Sequence, residues 1–244
     1  MKLKVATWNI GGGLIKSASG KFDEENLDYF TNTIKDLDCD VVFLQEVHGD
    51  EMHSQATELA DRLGYSCATQ MISKSHLEKN KKFHLSIIAK QKLSNPKLIK
   101  LTNPKLENKE KGYLSHDKGF ILCELEIENK SITLVSGHLF PYYIFGKRIE
   151  DDELSYAREE IDLILSSLDD PRIIGVDMNS ENSGIILPKS LSSSLVEVEN
   201  TQATCPSGEH VDHIFTSKDI KASETKVIEG EADHFILIST LEVA

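Results

Sequence analysis

The chain has 244 residues, a hydrophobic fraction of 39%, a charged fraction of 27% and a net charge of −13, which describes an ordinary globular protein with length enough for a sizeable core. The acidic balance argues against a broadly basic nucleic-acid face, but a phosphodiester substrate stays open, because a bound divalent cation reverses the local field where acidic groups cluster. No apolar run reaches the ~20 residues of a membrane span and the N-terminus lacks a signal-peptide segment, so the sequence reads as cytoplasmic; Cys39, Cys67, Cys123 and Cys205 are scattered, as reduced structural thiols are.

The first predicted strand covers residues 3–9 and ends in Asn9, ahead of Gly11-Gly12-Gly13. That triple glycine makes a flexible corner; lacking a following Lys-Ser/Thr, it is no P-loop. Asp23 is expected to cap a helix whose Leu27, Phe30, Ile34 and Leu37 fall at helical spacing. An apolar strand then starts at Val41 and ends in Gln45-Glu46. A second helix is expected from about Asp50, with Met52, Ala56, Leu59 and Leu63 inward and Gly64 as its stop. Residues 65–70 and 84–89 read as strands on either side of a basic loop with Lys74, Lys79, Lys81 and Lys82, either a solvated loop or a contact for a phosphate-rich substrate.

Residues 120–127 and 131–135 are β-rich runs separated by Glu128-Asn129-Lys130, a tight antiparallel hairpin. The second run leads to His138 and opens into an aromatic loop. There Tyr142, Tyr143 and Phe145 can stack a base, hold a lipid chain or pack on the loop's own core, and Lys147 and Arg148 can meet phosphate. Asp151, Asp152 and Glu153 suit the positive end of a helix carrying Leu154, Ala157, Ile161, Ile164 and Leu168. That helix returns the chain to a strand over 172–177. Residues 180–204 read as loop or short helix, and strands follow at 211–216, 226–228 and 235–241. No fixed-period repeat or linker divides the chain, so residues 1–244 are read as one α/β domain with no obligate protein partner.

Six strand-like runs deliver a polar group: Asn9, Glu46, His138, Asp177 with Asn179, Asp212, and Asp233 with His234. Side chains alternate faces along a strand, so Asp177 and Asn179 leave it on the same side. One such terminus is explained by an Asx turn or a cap. Six suggest a shared site.

Thr7-Trp8-Asn9, Leu44-Gln45-Glu46-Val47, Ser136-Gly137-His138-Leu139, Asp177-Met178-Asn179, Val211-Asp212-His213-Ile214 and Asp233-His234 also resemble, in order and rough interval, the motifs of the endonuclease/exonuclease/phosphatase superfamily. The resemblance implies an α/β (α+β) fold of deoxyribonuclease I type, a four-layer αββα sandwich with the site at one edge of its sheets. It also implies hydrolysis of a phosphate ester assisted by Mg²⁺ or Mn²⁺, as one or two ions. By that resemblance Glu46 ligates the metal, Asn9 steadies Glu46 and the metal or joins its outer sphere, and Asp233 adds a second carboxylate. Asp177 orients or deprotonates the attacking water, and Asn179 donates to a phosphoryl oxygen. His234 contacts the phosphate, with Asp212 on the ring's other nitrogen. These residue types suit the chemistry: hard oxygens hold Mg²⁺, a carboxylate accepts a proton, and an amide donates to developing charge.

His138 makes the chain look like the His-bearing branches, which include deoxyribonuclease I, sphingomyelinase, deadenylase and tyrosyl-DNA phosphodiesterase, rather than the apurinic-site endonucleases, which usually place Tyr near that point. The other seven histidines are read as surface or core residues. Two departures stand out: Val176 where glycine commonly precedes the Asp, with Gly175 one earlier, and Phe83-His84-Leu85 in place of a Gly-rich lead. The expected substrate is a phosphodiester of DNA or RNA; a lipid head group, inositol phosphate or nucleotide is the alternative. A non-catalytic binding module is the third reading, disfavoured because Glu46, Asp177, Asn179 and His234 are all present.

Overall fold

The two strands that read as apolar on both sides lie inside sheets, where both faces are covered: Val41–Gly49 in one six-stranded sheet and Arg172–Asp177 in another. The computed structural model describes residues 1–127 and 130–243. The first sheet runs in the order Ile220–Ile228, Ile236–Val243, Lys2–Asn9, Val41–Gly49, Lys82–Ala89, Ser66–Lys74. The second runs Leu195–Glu197, Asp212–Ser217, Arg172–Asp177, Lys130–His138, Gly119–Ile127, Leu93–Lys100. Each sheet is mixed, with a parallel pair at its centre: Lys2–Asn9 beside Val41–Gly49, and Lys130–His138 beside Arg172–Asp177. Parallel neighbours need a crossover, supplied by helix Leu27–Leu37 in the first case and Ser155–Ser166 in the second.

Three apolar layers follow from the alternation of side chains. Between the sheets, Val5, Val41, Phe43 and Leu85 meet Ile121, Leu134, Ile173 and Ile214. Outside the first sheet, Phe30, Ile34 and Leu59 from helices Leu27–Leu37 and Gln55–Leu63 cover Trp8, Val42 and Leu44. Outside the second, Ala157, Ile161 and Leu165 cover Val135, Ile174 and Phe215. The result is the four-layer helix, sheet, sheet, helix sandwich. Full burial of each Phe or Leu contributes ~1.5–3 kcal/mol, and these layers hold the sheet edge that carries the polar residues.

Local details differ from expectation for identifiable reasons. Asn26, not Asp23, caps the first helix, its side chain accepting from the Tyr29 N–H at 3.0 Å. Asp23 is taken up in the short strand Phe22–Glu25, which pairs with Leu14–Lys16. The second helix starts at Gln55, where Ser54 and Thr57 form a capping box, so Met52 precedes it and is 81% exposed. Gly64 ends that helix in the left-handed conformation, as expected. Leu168 lies beyond Ser155–Ser166 but still packs on the outer layer. The hairpin pairs from Ile127 with Lys130 to Gly119 with His138; its turn residues Glu128 and Asn129 lie outside the described residues.

Glycine at 175 rather than 176 also has a physical reading. A Cβ at Gly175 would lie 2.4 Å from Phe43 Cδ2 of the opposite sheet, so the close approach of the sheets is made there. Val176 points to the helical layer and packs in it. Among the described residues no helix is long and apolar enough to cross a membrane.

Candidate active site

Strand register gathers the polar residues at one end of both sheets. Asn9 is level with Gln45, His138 with Asp177, and Asp177 with Asp212. A cavity of ≈ 210 Å³ is lined by Asn9, Glu46, His138, Asp177, Asn179, Asp233 and His234, among others. Asp212, wholly buried, stands behind His234. All eight expected catalytic and metal-binding residues therefore meet at one place.

Glu46 reaches the cavity by a different route from the one expected. Its strand does not end there but continues to Gly49, with a register shift between Leu44 and Val47 against the neighbouring strand. Glu46 sits in this bulge at φ 50°. Such a conformation costs ~1–3 kcal/mol for a residue with a Cβ, and bulges re-aim a side chain. The triple glycine is likewise not a flexible corner but a buried turn with positive φ at all three residues. A Cβ on Gly11 would lie 2.7 Å from Asp233 Oδ1, so the turn makes room for that carboxylate.

Asp177 is the most connected group. Its Oδ2 accepts from Asn9 Nδ2 at 2.9 Å and its Oδ1 from the Asn179 N–H at 2.9 Å. His138 Nε2 lies 3.3 Å and His234 Nε2 3.9 Å from Oδ2. Burial raises its carboxyl to about 6, against the lowering pull of His234, with Asp212 adding to the rise. Asn9 therefore braces Asp177; its own Oδ1 accepts from the Gly11 N–H at 3.0 Å. The Asn179 amide donates to Leu139 O at 3.0 Å.

The two imidazoles are driven apart in charge. Burial pushes His234 down, but Asp212, at 2.8 Å from Nδ1, outweighs it and holds the ring well above the usual range, which favours its charged form. His138 is held well below that range, by burial first and then by Lys118 and His234. Lys118 Nζ lies 2.8 Å from Nε2 and 3.0 Å from Nδ1 of the His138 ring and 3.5 Å from Glu46 Oε1. Burial thus biases both members of this contact, the Lys118 amine and the His138 ring, toward their neutral forms.

For a metal, the donors offered are hard oxygens. Asp233 is raised to about 6 by burial, opposed by His234 and reinforced by the Glu46 charge, and its Oδ1 is buried without a hydrogen-bond partner. An orphaned carboxylate oxygen close to a second carboxylate fits a divalent cation.

The aromatic loop divides its residues. Tyr142 is buried in the outer core layer, whereas Tyr143 is 65% exposed at the rim. Phe145 lines the ≈ 210 Å³ cavity; Lys147 and Arg148 line a neighbouring cavity of ≈ 430 Å³ and pair with Glu153 and Glu150. Lys118, His76 and His116 line the ≈ 210 Å³ cavity and were not among the expected site residues. Lys118 had a signal: the hairpin register sets Gly119 opposite His138, and its predecessor sits beside that ring. His76 and His116, stacked with centroids 5.7 Å apart, come from loops that carry no periodic signal.

Solved structures share this fold. An endonuclease/exonuclease/phosphatase from Beutenbergia cavernae DSM 12333 matches with TM-score 0.79 at 16% identity, over 100% of this chain and 72% of that one. A family protein from Leptotrichia buccalis C-1013-b matches with TM-score 0.71 at 18% identity, over 98% and 99% of the two chains. The human nocturnin catalytic domain with bound sulfate matches with TM-score 0.67 at 19% identity, over 100% and 94%. No curated protein sequence matches the chain. The profile of the Endonuclease/Exonuclease/phosphatase family matches residues 6–234, which include every residue of the site described above, and the chain belongs to that family.

Proposed function

We propose that this protein is a divalent-metal-dependent phosphodiesterase that cleaves a nucleic-acid strand or strand end. The observation that carries the reading is the two-sided site: the reactive cavity and its larger neighbour share Phe140, Tyr143, Asn179 and His234. A phosphorus held between Asn179 and His234 has room for a substituent on each side, as a diester requires. The exposed Tyr143 ring between the two spaces offers a stacking face for a base.

Glu46 and Asp233 would hold the metal, with Asn9 next to them, and a bound Mg²⁺ or Mn²⁺ supplies charge neutralisation at the phosphoryl oxygens. Asp177 accepts the proton of the attacking water while Asn9 and the Asn179 N–H fix its orientation. His234, locked by Asp212, points a charged N–H at the phosphoryl group. The Asn179 amide turns from Leu139 O to a phosphoryl oxygen once substrate is bound. The sulfate in the nocturnin domain, a tetrahedral oxyanion, is in keeping with this reading.

A smaller phosphate ester is the second reading, favoured by the pairing of Lys147 with Glu153 and of Arg148 with Glu150, which leaves the loop little free positive charge. A panel of single- and double-stranded DNA, RNA, tyrosyl-linked DNA ends, sphingomyelin and inositol phosphates, each with Mg²⁺, Mn²⁺ or EDTA, separates the two. Metal-dependent cleavage of a nucleic acid supports the first; turnover of the small or lipid esters alone replaces it with the second.

A further inference from the structure

We infer that Cys205, Asp212 and His234 form a second metal site, for a thiophilic cation of the Zn²⁺ type, that shares Asp212 and His234 with the reactive centre, and that filling it shuts that centre. Cys205 Sγ is 3.6 Å from His234 Nδ1, and Asp212 Oδ2 is 2.8 Å from the same nitrogen. One ligand atom from each of the three residues lies within 4.8 Å of the others. A tetrahedral Zn²⁺ with bonds of about 2.0–2.3 Å spaces its ligand atoms by about 3.3–3.8 Å. The sulfur and nitrogen already stand at that spacing; the carboxylate has to retreat by roughly half an ångström.

An independent observation concerns Asp212 itself. It is 0% exposed, and its Oδ1 has no hydrogen-bond partner. One oxygen of this buried carboxylate holds the His234 ring and the other is idle, so the group keeps unused donor capacity for a cation. Access is provided too, since Cys205 and His234 both line the ≈ 430 Å³ cavity.

Chemistry separates this site from the oxygen set at Glu46 and Asp233. A thiolate with an imidazole selects Zn²⁺ over Mg²⁺, whereas carboxylates and water suit Mg²⁺. On binding, the Cys205 S–H and the His234 Nδ1–H each release a proton to solvent as the two bonds to the metal form. The hydrogen bond from His234 to Asp212 is replaced by metal coordination, so the ring loses the contact that fixes it toward the phosphoryl group. This last consequence rests on the function proposed above; the binding of the metal does not.

Co²⁺, which takes the place of Zn²⁺ and reports its ligands by colour, tests the site directly. The full chain is titrated with Co²⁺ in excess Mg²⁺, beside the Cys205→Ser variant, whose folding is checked by thermal melt. Expected is a near-ultraviolet thiolate-to-cobalt band in the wild type that Zn²⁺ abolishes and that Cys205→Ser lacks, although Cys39, Cys67 and Cys123 remain. No band in the wild type, or a band that survives in the variant, overturns the site. In parallel, Zn²⁺ is expected to inhibit hydrolysis reversibly by chelator, with roughly tenfold or more Zn²⁺ needed in Cys205→Ser, each protein referred to its own zinc-free rate. A cobalt band with hydrolysis untouched by Zn²⁺ overturns the shut-off. Absence of any hydrolysis in the metal-loaded wild type would count against the proposed function instead, and the cobalt result would stand by itself.

Discussion

Asn9 Nδ2 donates to Asp177 Oδ2 at 2.9 Å, and this one bond crosses from the first sheet to the second at the mouth of the site. A step deeper, Gln45 Nε2 reaches Ser136 Oγ at 3.1 Å and Thr7 Oγ1 at 3.2 Å. The sheets are therefore pinned together by polar groups at the end that carries the candidate site and by apolar packing elsewhere. Position of the Asp177 carboxylate is a property of the sandwich, not of one loop.

Asn9→Ala removes that brace. A buried carboxylate losing a donor costs ~1–3 kcal/mol, and a displaced base costs ~100-fold in rate. The expected outcome is a lowered denaturation midpoint with a steep fall in kcat and a small change in KM. Wild-type kcat in a variant of normal stability would show that Asn9 does not position Asp177.

Lys118→Met should separate stability from activity. Lys118 is buried and burial lowers its pKa, although Glu46 and Asp177 pull the other way. Replacing such a buried amine with an apolar side chain of similar length is often neutral or stabilising, while loss of its contacts to His138 and Glu46 should cost ~10–100-fold in kcat/KM. A melt and a rate measured on the same preparation read both; a variant that loses stability and keeps its rate would assign Lys118 a purely structural role.

Gly175→Ala overpacks the inter-sheet layer against Phe43, with only 2.4 Å available for the new Cβ. Overpacking costs ~1–3 kcal/mol, enough to lower the melting temperature by several degrees. Gly184→Ala is the control, since nothing lies within 4 Å of a Cβ there. Equal melting temperatures for the two variants would contradict the close approach.

One partly buried contact outside the candidate cavity, between Glu197 and His213, should be visible in the acid limb of stability. Glu197 accepts from His213 Nδ1 at 2.6 Å and is held below the ordinary carboxylate range; burial pushes it up, but His213 and Ser183 outweigh that. A lowered folded-state pKa contributes stability that is present above the ordinary Glu value and is lost as pH falls through the depressed one. Denaturation midpoints of Glu197→Gln should thus fall below wild type at neutral pH and converge with it in acid. Parallel curves down to the lowest pH would remove the pair from the account.

The strands and site were legible because the motifs coincide with a change of environment. Short apolar runs such as 41–44 and 173–176, rich in β-branched residues, read as buried strands, and a carboxylate just after them, Glu46 or Asp177, has to be accommodated by partners from elsewhere. Helix Leu27–Leu37 was legible from Phe30 and Ile34 at one-turn spacing. Its cap was not, because Asp23 and Asn26 both suit the role and only the pairing of Phe22–Glu25 with Leu14–Lys16 decides between them. Lys118 was missed because it precedes a strand whose partner register, not its own pattern, gives it meaning. His76 and His116 are brought to the cavity by loops whose path depends on tertiary packing. The bulge that turns Glu46 inward has the same origin: the apolar run from Val41 reads as a strand that ends at Glu46, and only the pairing with Lys82–Ala89 shows that it shifts register there and continues to Gly49.

Hydrolysis of a chromogenic phosphodiester, followed while Mg²⁺ is titrated into metal-stripped wild type, Glu46→Ala and Asp177→Asn, tests the central claim most directly. A saturable, Mg²⁺-dependent rate in the wild type, absent from both variants although their melting transitions remain cooperative, is the predicted result. A rate that persists in Glu46→Ala at the same Mg²⁺ dependence, or a wild type that never turns over, would contradict a reactive centre built on these carboxylates.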